Sequence, residues 1–369
     1  MRLPRISRRG KHAAGEAPPI DLRGAQPHHK APVTTARAAR RLAGPVLLSA
    51  VLVSLILAVP PLRAVGRQVA HVHAGWVVAA IALELCSCAA FIVIFRLFFD
   101  EVPAGTAREV AWAEEGSGAL LPGGGLGALA LGGVLLRRTG MSTKTIIERS
   151  SALFFLTSAI NVAALVGAGA LLAARGATGS DELLRAGIPI FGGLAAAAGV
   201  LMMPMVVRRS RGRSRPAWLV DLATGIGLAR QSLRRPSWRL IGAAGYLGFD
   251  IAALGATFAA AGKPLPLVPL VLGYLIGYLA NLIPVPGGFG VLEGGLAGTL
   301  IAYGAPPTQA TAAVIVYHAI AFWIPTLGGL TGYTLLRRRL NRPQHAALQR
   351  PSRVPPLNHP AKPAAAPTA

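Results

Sequence analysis

One acidic residue lies inside a proline- and glycine-rich break in an otherwise apolar stretch. Residues 281–295 read NLIPVPGGFGVLEGG, and Glu293 is the only ionisable side chain among them. Backbone amides freed by glycines at a helix start can hold an anionic phosphate. A carboxylate suits a cation, an amine or a proton, because like charges repel. We therefore expect a binding site with Glu293 as its ion- or amine-binding half and the Gly287–Gly288 backbone as its phosphate half. The residues predicted to bind here are Pro286, Gly287, Gly288, Gly290 and Glu293.

The role of Glu293 has a simpler alternative. A carboxylate in the first turn of a helix is stabilised by the helix dipole and can cap the free backbone amides. The sequence is compatible with a residue that only caps the following half-helix, as well as with a ligand-binding residue.

A second glycine cluster with similar spacing lies earlier in the chain. PGGGLGALALGG begins at Pro122, and PGGFGVLEGG begins at Pro286. Both contain a proline, a glycine cluster, a bulky apolar residue, a further glycine and a Gly-Gly pair. We interpret the two segments as an internal repeat. The first copy contributes Pro122, Gly123 and Gly124 as candidate binding residues.

Further ionisable side chains interrupt apolar sequence, where they are costly and are candidates for function. Glu114 and Glu115 precede the first glycine cluster, and we expect only one of them to face the site, because adjacent helical residues point in different directions. His318 follows Tyr317, is the only histidine in a predicted span, and belongs to the residue type that titrates near neutral pH. Packing alone is the alternative role for His318.

Two more acids lie near the centres of apolar runs. Asp250 needs a partner at that depth, for which Arg149 and His318 are the candidates. Glu84 is also central in its run, but no motif surrounds it, so Asp250 is the stronger candidate for the site.

The composition is that of a membrane protein. Of 369 residues, 53% are hydrophobic and 14% are charged, whereas soluble domains are nearer a quarter charged. Several apolar runs approach or exceed the ~20 residues that a membrane-crossing helix needs. We predict an all-α integral membrane protein with about six full transmembrane helices. The predicted spans are 45–62, 75–99, 151–174, 188–207, 240–262 and 311–336.

The net charge of +23 comes from three basic segments. These are residues 1–44, 207–240 and 337–369, and charges elsewhere cancel. Alternation of basic segments with apolar spans favours the positive-inside rule over nucleic-acid binding. We expect no nucleic-acid partner and a location in the cytoplasmic membrane, with both termini on the cytoplasmic side.

Six crossings leave both glycine-rich segments as hairpins that do not cross. Residues 109–136 would enter from the cytoplasm and residues 264–303 from outside, so the two re-entrant hairpins would be inverted. Broken helices at membrane depth are tolerated where protein or a cavity satisfies the backbone, and such inverted segments indicate a transporter's midplane site. The predicted regions are a basic disordered tail (1–44), a membrane domain (45–340), a basic cytoplasmic loop (207–239) and a disordered C-terminal tail (341–369).

The second glycine motif also resembles a known family. The turn PGGFGVLE at 286–293, the loop that follows it and the final Pro/Gly-bearing span resemble the end of the lysylphosphatidylglycerol synthase transmembrane-region family. ALLPGGGLGALALGGVLL resembles the family's first glycine-rich segment, and the likeness covers roughly residues 45–340. It implies a flippase-like domain that moves lipids such as aminoacylated phosphatidylglycerol, or handles other lipid-linked or isoprenoid-derived molecules.

Two departures from the family pattern affect what is expected. Many members have Tyr-Arg where this chain has Tyr317-His318, which removes a permanent positive charge. No sequence for a soluble aminoacyltransferase domain follows the membrane part. We therefore expect a stand-alone member without the synthase domain.

No motif for catalysis is found in the sequence. HExxH, GxSxG and the P-loop pattern are missing, so we expect no enzyme activity, catalytic residues, metal or cofactor. The leading hypothesis is a transporter or flippase that moves or binds a membrane lipid or lipid-linked molecule. One alternative is an accessory subunit that binds a lipid or a membrane enzyme. Another is a polyprenyl-phosphate-processing enzyme, although the glycine turn lacks the serine and arginine that such chemistry needs.

Overall fold

A computed structural model describes residues 60–121, 125–175, 180–209, 217–282 and 290–348. Every regular element in these ranges is a helix, which confirms the all-α fold. The α-helices are α1 Pro60–Ala70, α2 Ala74–Phe98, α3 Ala104–Leu120, α4 Gly125–Arg138, α5 Thr143–Ala174, α6 Ser180–Arg209, α7 Ala217–Arg234, α8 Ile241–Ala261, α9 Leu267–Gly277, α10 Val291–Ala302 and α11 Pro307–Leu348. Short 3-10 turns at Trp238–Leu240 and Tyr278–Leu282 precede α8 and follow α9.

Five of the predicted spans are confirmed as helices long and apolar enough to cross a membrane. These segments are Ala74–Phe98, Thr143–Ala174, Leu183–Val207, Trp238–Ala261 and Pro307–Leu340. The remaining predicted span, 45–62, lies outside the described residues except for its last three positions, which begin α1. The chain is a multi-pass membrane protein.

The five long helices differ in how much protein surrounds them. Half of the most apolar window of Pro307–Leu340 is buried inside the protein, whereas only 6% of the corresponding window of Leu183–Val207 is buried. Apolar side chains that find no protein contact in a membrane protein face lipid. Helix α11 is therefore central, and α6 is peripheral.

Small residues allow the central helices to approach closely. A Cβ atom on Gly329 of α11 would lie 2.7 Å from the Cα atom of Gly116 of α3. On α8, a Cβ atom on Gly242 would lie 2.6 Å from the carbonyl oxygen of Ala90 of α2. Such contacts are typical of helix packing in membranes, where close backbone approach supplies much of the attraction. They hold α3 against α11 and α2 against α8 as the walls of the interior.

Each glycine cluster lies between two helices that contact each other. Helices α3 and α4 flank residues 122–124, and α9 and α10 flank residues 283–289. Helices α9 and α10 have 11 and 12 residues, which is about 16–18 Å and too short for a ~30 Å hydrocarbon core. The helix pairs have the form expected of helical hairpins. Their membrane depth and inverted orientation remain predictions.

The described helices extend into two segments for which the sequence predicted a loop and a disordered tail. Helix α7 lies within the predicted basic loop 207–239, where an amphipathic interfacial helix was expected, and it packs against α5 and α6. Helix α11 continues to Leu348, inside the segment 341–369 that was predicted to be disordered. Arginine, leucine and alanine are good helix formers and extend a helix that tertiary contacts have already nucleated.

Candidate functional site

A cavity of about 340 Å³ lies among the helices. Helices α2, α3, α4, α5, α8, α10 and α11, together with the 3-10 turn after α9, contribute to its wall. Four carboxyl side chains line it, those of Glu84, Glu114, Glu115 and Asp250. Among the described residues, His318 is the basic side chain in the lining, and no lysine or arginine contributes. The cavity is therefore an acidic compartment inside an apolar protein.

Most of the predicted site residues that the structure describes lie at this one cavity. Five of them line it, although they lie on three different helices: Glu114, Glu115, Asp250, Tyr317 and His318. Pro122, Gly123, Gly124, Pro286, Gly287 and Gly288 lie outside the described residues.

Both acids of the Glu114–Glu115 pair line the cavity, so the expectation that only one would do so is wrong. The two side chains do diverge, as neighbours on a helix must. The Glu114 carboxyl packs against Gly132 of α4, at a distance that leaves no room for a Cβ atom. The Glu115 carboxyl lies next to Tyr246 of α8. The cavity extends between α4 and α8 and therefore reaches both acids.

Glu293 contacts the cavity wall through His318. Its Oε1 atom lies 2.6 Å from His318 Nδ1, and the exposed fractions of the two side chains are 13% and 7%. Its Oε2 atom accepts a hydrogen bond of 2.6 Å from the backbone N–H of Gly290. Gly290 has φ = 82°, a conformation that favours glycine at the start of α10. Glu293 thus caps α10 and also contacts His318 of α11.

Asp250 is held by tyrosines, so its expected partners were wrong. Tyr317 donates a hydrogen bond of 2.6 Å to Oδ1, and Tyr274 of α9 donates to Oδ2. Tyrosine hydroxyls satisfy a buried carboxylate without adding a second charge. The candidate partner His318 contacts Glu293 instead.

The other candidate partner, Arg149, lies away from the cavity. It donates to the carbonyl oxygen of Phe98 at 3.0 Å and to Glu101 Oε1 at 2.6 Å. Arg149 therefore binds the carboxyl end of α2 and the turn between α2 and α3, as basic side chains near the end of a helix often do.

Sequence reasoning missed part of the lining. Glu84 of α2 lines the cavity and lies against Asp250. An acid at the centre of an apolar run was the available signal for Glu84. Tyr246 and Tyr278, which also line the cavity, and Tyr274, which contacts Asp250, gave no such signal. Tyrosines in apolar helices usually look like packing residues.

The fold and site define a class of protein: an all-helical, multi-pass membrane protein with an ionisable internal cavity between long helices and glycine-interrupted helix pairs. Residues 42–329 match the family described as lysylphosphatidylglycerol synthase TM region, and the chain belongs to that family. It is also 36% identical over 87 residues to a UPF0104 membrane protein of Methanothermobacter thermautotrophicus. That match covers 23% of this chain and 25% of the relative.

Proposed function

We propose that this protein binds a lipid or lipid-linked molecule by its headgroup in the acidic cavity and moves it across the cytoplasmic membrane, without a catalytic step of its own. The observation that carries this proposal is the cavity itself. Four carboxyl groups and a histidine face a space of about 340 Å³ between helices that are otherwise apolar. Ionisable groups at such depth are expensive and mark pathways for polar molecules.

The charge of the lining favours one class of headgroup. A cavity with four carboxyl groups and no lysine or arginine among the described residues attracts a cation and repels a bare phosphate. An amine-bearing headgroup fits this lining. Its phosphate would be held by the backbone amides of Gly287 and Gly288, as expected from the glycine turn.

The arrangement of the short helices supports movement as well as binding. Each glycine cluster interrupts a contacting helix pair beside the cavity, since Gly125 of α4 and Leu292 of α10 both line it. In our proposal the α3–α4 pair enters from the cytoplasm and the α9–α10 pair from outside. The headgroup would then reach one cavity from either side of the membrane.

Lipid movement in reconstituted vesicles tests the proposal. Purified protein is placed in vesicles that contain a fluorescent phosphatidylethanolamine labelled on its acyl chain, so that the amine is free. Bleaching of the outer leaflet with dithionite measures the exchange between leaflets. We expect the protein to speed this exchange, and Glu115→Gln to slow it about tenfold or more, as loss of one charged contact would. Glu148→Gln is the control, because Glu148 does not belong to the described cavity lining and its contact with the exposed Lys144 spans 4.0 Å.

The accessory-subunit alternative predicts another result. A lipid would co-purify with the protein, and native mass spectrometry would identify it, but the vesicles would show no exchange above that of protein-free vesicles. That combination would contradict the flippase proposal and favour a binding subunit.

A further inference from the structure

Asp250 accepts a hydrogen bond at each of its two oxygen atoms, which assigns it as the ionised member of its cluster. Tyr317 and Tyr274 donate to its two oxygen atoms. The Glu84 carboxyl group lies against the same carboxyl group. A carboxyl group that accepts at both oxygens from hydroxyl donors acts as a carboxylate.

Glu84 must then carry a proton. Two ionised carboxyl groups have no hydrogen atom to share, so contact between them requires one to be the acid. Glu84 is 5% exposed, and its Oε2 atom has no hydrogen-bond partner among the described residues. An ionised oxygen without a partner at this depth would be very costly, whereas the carbonyl oxygen of a neutral acid is tolerated.

The position of the two acids allows this proton to be exchanged at the cavity. Glu84 and Asp250 both line it, so the proton is held at a surface that a headgroup reaches. The other titratable groups facing the two carboxyls are the acids Glu114 and Glu115 of α3, Cys88 of α2, Tyr246 of α8, Tyr278 of the 3-10 turn and His318 of α11. Helices α4 and α5 contribute no titratable side chain to the described lining.

We propose that the Glu84–Asp250 pair is a proton-exchange site, which releases one proton when a cationic headgroup enters the cavity and takes it up when the headgroup leaves. The inference rests on the proposed function for its headgroup. With the cavity empty, Glu84 holds the proton and Asp250 carries one negative charge. When a headgroup with one positive charge enters, Glu84 loses its proton to water. The two carboxylates and the cation together then carry one net negative charge, which is the charge that the pair carried before the headgroup entered.

This exchange supplies a physical reason for linked transport. Without the cation, loss of the proton would leave two adjacent negative charges in apolar surroundings, which is strongly unfavourable. With the proton in place, a cationic headgroup meets one negative charge in the pair instead of two. Proton and headgroup therefore compete for the pair, and a proton gradient would drive the lipid in the opposite direction.

A hydrophobic carbodiimide tests the site directly. Dicyclohexylcarbodiimide adds the O–H of a protonated carboxyl group across one C=N bond, and the acyl group then shifts from oxygen to nitrogen to give a stable N-acylurea with no leaving group. The full-length protein in detergent is treated with the reagent, and peptide mass spectrometry locates the adduct. We expect an adduct on Glu84, with a labelling rate that falls about tenfold per pH unit once the ionised form predominates.

A cationic amphiphile then tests the exchange. Decyltrimethylammonium carries a positive charge and cannot itself react with the reagent. We expect it to suppress labelling of Glu84 about tenfold at saturation, and to release about one proton per protein into weakly buffered solution containing an indicator dye, for a single group that changes state. Decylphosphocholine, which has the same chain length and no net charge, should do neither. Glu84→Gln should abolish the proton release, Glu84→Asp should retain it, and Glu148→Gln should leave it unchanged.

Two results would overturn the inference. The first is a folded protein whose Glu84 stays unlabelled at low pH while Glu114 or Glu115 is labelled. The second is proton release that persists in Glu84→Gln. These measurements do not depend on lipid movement. Vesicles without lipid exchange, together with the expected labelling and release, would therefore reject the flippase proposal and leave the proton-exchange site standing.

Discussion

The carboxylate of Glu293 and the imidazole of His318 lie 2.6 Å apart, although 25 positions separate the two residues along the chain. The contact joins the first turn of α10 to the central helix α11, whose His318 lines the acidic cavity. The acid that follows the second glycine cluster therefore both caps a helix and contacts a residue of the cavity wall. This double contact allows the two roles of Glu293 to be separated experimentally.

Glu293→Gln should preserve the cap and remove the charge. The glutamine oxygen can still accept from Gly290 N–H, so the thermal midpoint in detergent should change little. Lipid exchange should fall about tenfold or more, because a charge-assisted contact contributes about 1.5–3 kcal/mol. Glu293→Ala removes the cap too and should cost about 1 kcal/mol of stability. Normal exchange in Glu293→Gln, with loss of folding in Glu293→Ala, would reduce Glu293 to a cap.

His318→Arg should support lipid exchange, and His318→Leu should not. Arginine gives Glu293 a permanently positive partner. Leucine leaves the Glu293 carboxylate without that partner in an apolar interior, at a cost of several kcal/mol. Exchange rates and thermal midpoints of both variants check this expectation. Equal exchange in the two variants would show that the contact only positions helices.

Removal of either tyrosine hydroxyl from Asp250 should destabilise the protein. Tyr317→Phe and Tyr274→Phe each delete one donor to a buried carboxylate, which should cost about 1.5–3 kcal/mol. Thermal unfolding in detergent measures the loss. Tyr333→Phe is the matched control, since no hydrogen bond to its hydroxyl is found within the described ranges. With Asp250→Asn already present, Tyr317→Phe should lower the stability much less, because the Tyr317 hydroxyl then no longer binds a charged group.

The cavity should admit water and select for charge. In a background that carries Cys86→Ala and Cys88→Ala, Ser158→Cys places a thiol in the lining. A cationic thiosulfonate reagent should modify it about tenfold faster than an anionic reagent of similar size, because of the acidic lining. Val200→Cys on the peripheral helix α6 should resist both reagents. Complete protection of Ser158→Cys would indicate a dry interior and remove the main support for transport.

Topology reporters should follow the three basic segments. A reporter inserted after Arg213, between α6 and α7, should read cytoplasmic, and one after Thr178, between α5 and α6, should read external. Basic residues are retained on the cytoplasmic side during insertion. A cytoplasmic signal at Thr178 would overturn the six-crossing arrangement and, with it, the inverted entry of the two helix pairs.

Local sequence determined the class of protein and most of its elements. The length of an apolar run sets whether a helix can cross a membrane, so five spans were identified from their residues and appear as helices. Proline and glycine interrupt helices for local steric reasons, so both breaks between short helices were also predictable. The cost of an ionisable group in apolar sequence made Asp250, Glu293 and His318 candidates before any contact was known.

Only the tertiary structure decided which of these groups meet. Asp250 contacts Tyr274 and Tyr317, which lie 24 and 67 positions away, and it also contacts Glu84 on α2. A helix shows its periodicity in sequence, but the neighbour that each face meets depends on close approaches such as that of Gly242 to Ala90. In a membrane every face of such a helix is apolar, so hydrophobic pattern cannot rank the faces. The partners of the cavity acids therefore follow from packing alone.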